Sequence, residues 1–237
     1  MKRLAIALIA LAALAGPAAA MKPDNISDAE MALIPPYCPD ANTFGYGGAE
    51  YNSSPNAPKW VAIMGKTFWA IHHYCWALIN LSRVERTAVG PSVRDGSAAM
   101  IRRATREAAV DDLFFVVEHG SRDSVVMPEI FTKIGEVQLS LGRIREADEA
   151  YAEARSLRRD YWPAYYQWAE YLNRSGKKAE ARKLAEEGLS YAPTSKSLRL
   201  LFTTLGGDPD SVPRKAVPPP AAAGAPSQPA TSIGNAR

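Results

Sequence analysis

The chain is poor in the residues that carry chemistry. Only three histidines (His72, His73 and His119) and two cysteines (Cys38 and Cys75) occur in 237 residues. There is no GxSxG, no HExxH and no CxxCH, so the usual hydrolase elbow, the zinc protease helix and covalent haem attachment are excluded. Gly65-Lys66-Thr67 has the end of a phosphate loop, but Trp60 stands where the first glycine is required and no strand precedes it. Excess charge is missing as well. Lys and Arg number 28 against 25 Asp and Glu. Loss of residues 1–20 would remove Lys2 and Arg3 and no acid, leaving a net charge of +1. That is no electrostatic footprint for nucleic acid and no polybasic membrane patch. No catalytic residue and no cofactor is expected.

What is present begins with a basic Met1-Lys2-Arg3, an apolar run from Leu4 to Leu14, and small residues to Ala20. This pattern reads as a signal peptide over residues 1–20 of bacterial form, so a periplasmic or secreted location is expected. The apolar run is short of the ~20 residues of a membrane span, and no cysteine follows the cleavage site to carry a lipid. No stable membrane insertion is expected after cleavage.

Residues 21–58 are rich in proline and glycine and predict an irregular N-terminal cover. One short helix is expected at Ser27 to Leu33, with Ser27 as cap and Glu30 at the capping-box position. Trp60 to Leu81 is the most apolar stretch, and Lys66, His72, His73 and Asn80 argue for a buried core helix rather than a membrane span. A second helix is expected from about Ser97 to Glu118. Its Ala109, Leu113 and Val116 keep the offsets of Ala147, Tyr151 and Ala154, so residues 59–119 read as a degenerate helical hairpin.

Residues 128–193 repeat with a period of 34. Gly135 pairs with Ala169, Gly142 with Gly176, Ala147 with Ala181, Tyr151 with Ala185 and Ala154 with Gly188. Small residues are needed where two helices of a hairpin approach closely. The first row turns at Leu141-Gly142 and resumes as Ile144 to Leu157. The second runs from Pro163 to Arg174, turns at Ser175-Gly176, and runs from Lys178 to Tyr191 before Pro193. A helix from about Ser195 to Leu205 should cap the end (residues 196–206). Residues 212–237 are rich in Pro, Ala, Ser and Gly and read as a disordered tail.

On Phe131, Ile134, Gly135, Gly142, Ala147, Tyr151 and Ala154, and on Tyr165, Trp168, Ala169, Leu172, Gly176, Ala181, Ala185, Gly188 and Pro193, the chain resembles the tetratricopeptide repeat (TPR). Arg159 departs from the pattern in the first row's proline slot. The resemblance covers about 66 of 237 residues, as repeats at 128–161 and 162–195. It implies an all-α stack of antiparallel helical hairpins, an α-solenoid. The mature chain is also similar to a group of exported proteobacterial TPR proteins that carry a run like Thr67-Phe68-Trp69-Ala70-Ile71-His72-His73-Tyr74-Cys75-Trp76; that likeness supplies no activity.

The resemblance implies a concave groove lined by Thr132, Glu136 and Leu139 in the first repeat and by Tyr166, Glu170 and Asn173 in the second. Two carboxylates and an aromatic ring suit a basic or polar segment, so the expected function is a protein- or peptide-binding scaffold, in a setting such as envelope assembly or export. The alternative uses the His72-His73-Tyr74-Cys75 run. His72 and Cys75 share a helix face, and Cys38 and His119 would complete a zinc-type set, giving a metal-binding or redox protein. A Cys38–Cys75 disulfide is the competing reading, since exported thiols oxidise. The paired acids Asp111-Asp112 and Glu186-Glu187 read as solvated helix faces.

Overall fold

The computed structural model describes residues 21–42, 54–87 and 96–217. The protein is all-α: the described residues form nine α-helices and no strand. These are α1 (Asp28–Met31), α2 (Ala57–Met64), α3 (Ile71–Thr87), α4 (Gly96–His119), α5 (Met127–Ser140), α6 (Ile144–Leu157), α7 (Trp162–Arg174), α8 (Lys178–Tyr191) and α9 (Lys196–Thr204). Short 3₁₀ turns occupy Cys38–Asp40 and Gly65–Trp69. The signal peptide expected at residues 1–20 lies outside the described residues, as does the tail from residue 218. No described helix is long and apolar enough to cross a membrane.

The most extensive packing joins α3 to α4, α5 to α6 and α7 to α8; α5 also packs on α7, and α9 on both α7 and α8. The two 34-residue rows end their first helices alike. Gly142 and Gly176 take φ of 76° and 81°, which glycine adopts without strain. The following amide then reaches back: Arg143 N–H donates to Gln138 O and Lys177 N–H to Leu172 O, both at 2.9 Å. The next helix is thereby folded back along the first. Close approach explains the small residues. A Cβ placed on Gly135 would lie 2.8 Å from the Tyr151 ring, and Ala169, its equivalent, is fully buried.

The single apolar helix expected over Trp60 to Leu81 is not continuous. Gly65, at φ 62° and ψ −146°, ends α2, and a 3₁₀ turn intervenes before α3. Groups from the α4–α5 connection hold the break. Ser124 Oγ donates to the freed Met64 carbonyl at 3.1 Å, and Thr67 Oγ1 accepts from Ser121 N–H at 2.8 Å. A glycine inside an apolar run breaks the helix here because outside partners satisfy the released backbone groups.

The N-terminal segment is fastened to α3. Ser27 and Glu30 form the expected capping box around α1. Arg83 bonds Glu30 at 2.7 Å and holds its carboxyl below the usual range; Arg86 adds a second contact at 2.8 Å. Cys38 and Cys75 form a disulfide with a Cα separation of 5.8 Å, and both residues are fully buried. Asp40 accepts from Ser54 Oγ, Asn56 Nδ2 and Trp60 Nε1. Burial pushes its carboxyl up, and these three donors outweigh that and bring it below the usual value.

Two apolar cores result. The first gathers Phe68, Ile71, Leu113, Ile130 and Ile134; the second gathers Tyr151, Tyr165, Ala169, Leu189 and Leu198. Phe131 packs against both. Each large side chain so buried contributes roughly 1.5–3 kcal/mol. The start of the expected tail is part of this body: Val212 packs on the second core, and Lys215 N–H donates to Ser190 O at 2.8 Å.

Candidate functional site

Tyr151 on α6 is the centre of the face shared by α5 and α7. The residue is 1% exposed, and its hydroxyl donates to Gln167 Oε1 at 3.1 Å. Its ring stacks on Trp168 at 5.6 Å, and Trp168 on Tyr171 at 5.0 Å. Burial is the main cause that pushes the Tyr151 phenol up, and the charges of Glu136 and Glu170 push it further while Arg174 opposes them. Equivalent carboxylates of α5 and α7 therefore both influence one buried hydroxyl.

The expected groove residues divide. Glu136 is exposed and pairs with Lys133 Nζ at 2.6 Å. Glu170 and Asn173 are half-buried, and so is Tyr166, whose ring meets that of Trp162 edge-on at 6.2 Å. Trp162 itself is 37% exposed and extends the aromatic wall. Thr132 is turned away from solvent, while Leu139 is half-buried. Thr132 is 4% exposed, with its hydroxyl donating to Pro128 O at 2.8 Å. Leu139 packs against the second core. Gln167 and Arg174 were missed; both lie on α7 beside its aromatic run.

The His72-His73-Tyr74-Cys75 run lies between α3 and α4. The zinc set of His72, Cys75, Cys38 and His119 is not assembled, because both sulfurs are joined in the disulfide. His119 is exposed, stacks on Phe115 at 3.9 Å, and bonds Phe115 O through Nδ1 at 2.9 Å. Among the described residues no three His, Cys, Asp or Glu side chains converge on a metal-sized point. His73 instead bonds Asp112, Nδ1 to Oδ1 at 2.6 Å, with both side chains buried. Asp112 is 1% exposed, so its reading as a solvated acid is corrected. Its partner is 39 positions away, a separation that leaves no local trace. Among the described residues, His72 Nδ1, Trp76 Nε1 and Asp112 Oδ2 are buried without partners. Burial, then the charge of His73, brings His72 down to about 4. This cluster clamps two helices and offers solvent little.

A further link joins the disulfide region to α5. Tyr74 OH donates to Glu129 Oε1 at 2.6 Å. Burial pushes the Tyr74 phenol well up, and the Glu129 charge adds to it.

Compared with known protein families, curated proteins and solved structures, the chain matches none.

Proposed function

We propose that this chain is an exported TPR-like interaction module, and that the α5–α7 face binds a basic or polar peptide segment of a partner protein. In this reading residues 1–20 direct export. The hairpins α3–α4, α5–α6 and α7–α8 stack as a solenoid, and α9 covers the last one. One observation carries the binding proposal: Glu136 and Glu170, 34 positions apart, both reach solvent beside the partly exposed rings of Trp162 and Tyr166. Lys133 already pairs with Glu136, and Arg174 acts on the Tyr151 hydroxyl, while Glu170 has no ion-pair partner among the described residues. A Lys or Arg side chain of a partner would complete the compensation, with Trp162 and Tyr166 as aromatic walls for its stem or its charge. Rigid helix pairs suit this task because the groove is formed before the partner arrives.

The test uses the chain from residue 21 to 237 and a fluorescent, end-capped peptide of Lys, Arg and Ser. Saturable binding is expected, weakened about tenfold or more by Glu136→Lys with Glu170→Lys. Preference for a peptide ending in an acidic motif would overturn the reading.

A further inference from the structure

We propose a second docking site, of opposite charge, in the depression between α8 and the end of α9, and assign it to an acidic protein segment. The depression has a volume of about 510 Å³ and is lined by Lys178, Ala179, Arg182, Lys183, Glu186 and Leu205. That volume lies within the ~300–1,000 Å³ of ligand-scale clefts. Three cations face it and one carboxylate.

The neighbouring charges of α8 are compensated. Lys177 pairs with Glu180 at 3.6 Å, and Glu187 with Arg159 at 3.7 Å. Lys178, Arg182 and Lys183 have no carboxylate partner among the described residues. Lys178 and Arg182 are four apart, so their like charges stand on one face and repel. Lys178 also sits in the first turn of α8, where the helix dipole disfavours a cation. The arrangement opposes helix stability locally, and an anionic occupant relieves it.

Two features favour a peptide segment that carries both apolar and acidic side chains. The depression is shallow and open, and its lining is more apolar than polar: the Ala179 methyl, the stems of the long cations, and Leu205. An apolar side chain flanked by carboxylates fits both the walls and the rim. The Arg182 guanidinium also lies 5.8 Å from the centre of the Phe202 ring on α9, which places its charge beside the depression.

The probe is a short, end-capped peptide of Glu, Asp and Leu, titrated by fluorescence anisotropy into the chain from residue 21 to 237. Saturable binding that weakens with added salt is expected. Arg182→Glu with Lys183→Glu should weaken it about tenfold or more, and Arg182→Gln with Lys183→Gln by less. Circular dichroism should show both variants folded. Glu170→Lys, on the other face, should leave this binding unchanged, which separates the site from the α5–α7 proposal. Three results would overturn the assignment: no saturation by about 1 mM peptide, equal binding by the Glu variant, or loss of binding to phosphatidylglycerol vesicles but not to peptide in that variant.

Discussion

The His72 imidazole is packed against His73, Trp76 and Phe115, with ring centroids 4.5, 4.8 and 6.4 Å away. Asp112, on the facing helix, is bonded to His73. Burial first, and His73 second, lower the proton affinity of His72 from the usual 6.5 to about 4. The fold therefore favours the neutral ring. A depressed base adds stability that is complete above 6.5 and is lost as pH falls from 6.5 toward 4. Allowing for partial solvation, the loss should be about 1–2 kcal/mol. Glu30 acts in a different window. Its carboxyl is held low by Arg83, so its contribution is present above its usual 4.5 and declines only below that. Denaturation midpoints should thus be flat from pH 8 to 7 and drop between 6.5 and 4.5. In His72→Gln that arm should flatten, while the drop below 4.5 remains. An unchanged arm in the variant would mean another group titrates there.

At the scale of elements, the hairpins were legible because their signals are local. Gly142 and Gly176 mark turns by conformation, and Gly135 and Ala169 mark close approach by size. The break at Gly65 was not legible, since Ser121 and Ser124, which stabilise it, come from a connection about 60 positions later. Asp112 was misread for the same reason, and Thr132 because a period says which residues are equivalent, not how far a face turns inward. The Cys38–Cys75 link was one of two open readings, and geometry selected it. Its consequence belongs to the element it fastens. The bridge closes a loop with a sequence separation of 37, worth about 3–4 kcal/mol in the chain-entropy account. Cys38→Ser with Cys75→Ser should lower unfolding stability by that order in denaturant titrations. Hydrogen exchange should rise most over α1 and the 3₁₀ turn at Cys38–Asp40, with α7 and α8 little changed. Native protein should resist reductant, because both cysteines are fully buried. Thiol labelling before unfolding would contradict that.

At the scale of the whole molecule, the two cores meet through Phe131, and the second depends on its last helix. Leu198 is fully buried, Leu205 and Phe202 are 3% exposed, and Leu201 is 8%. Leu198 lies over Gly188, where an added Cβ would come within 2.9 Å of its Cδ1 and 2.8 Å of Tyr165. Without α9 the buried faces of α7 and α8 would open to water on that side. A chain ending at Pro193 loses all four side chains, and even after discounting for a compact unfolded state the loss exceeds about 3 kcal/mol. How it is distributed depends on coupling between the cores. In a stack where each hairpin touches mainly its neighbours, stability is close to a sum of local terms. Exchange protection should then fall over α7 and α8, fall less over α5 and α6, and hold over α3 and α4, where the disulfide and the His73–Asp112 bond act independently of α9. An equal loss of protection in every helix would instead mean that Phe131 and the α5–α7 contact fuse the cores into one cooperative unit. The α5–α7 face would then depend on the same unit as the α8–α9 depression, and truncation would abolish both proposed binding activities together rather than the proposed acidic-segment site first.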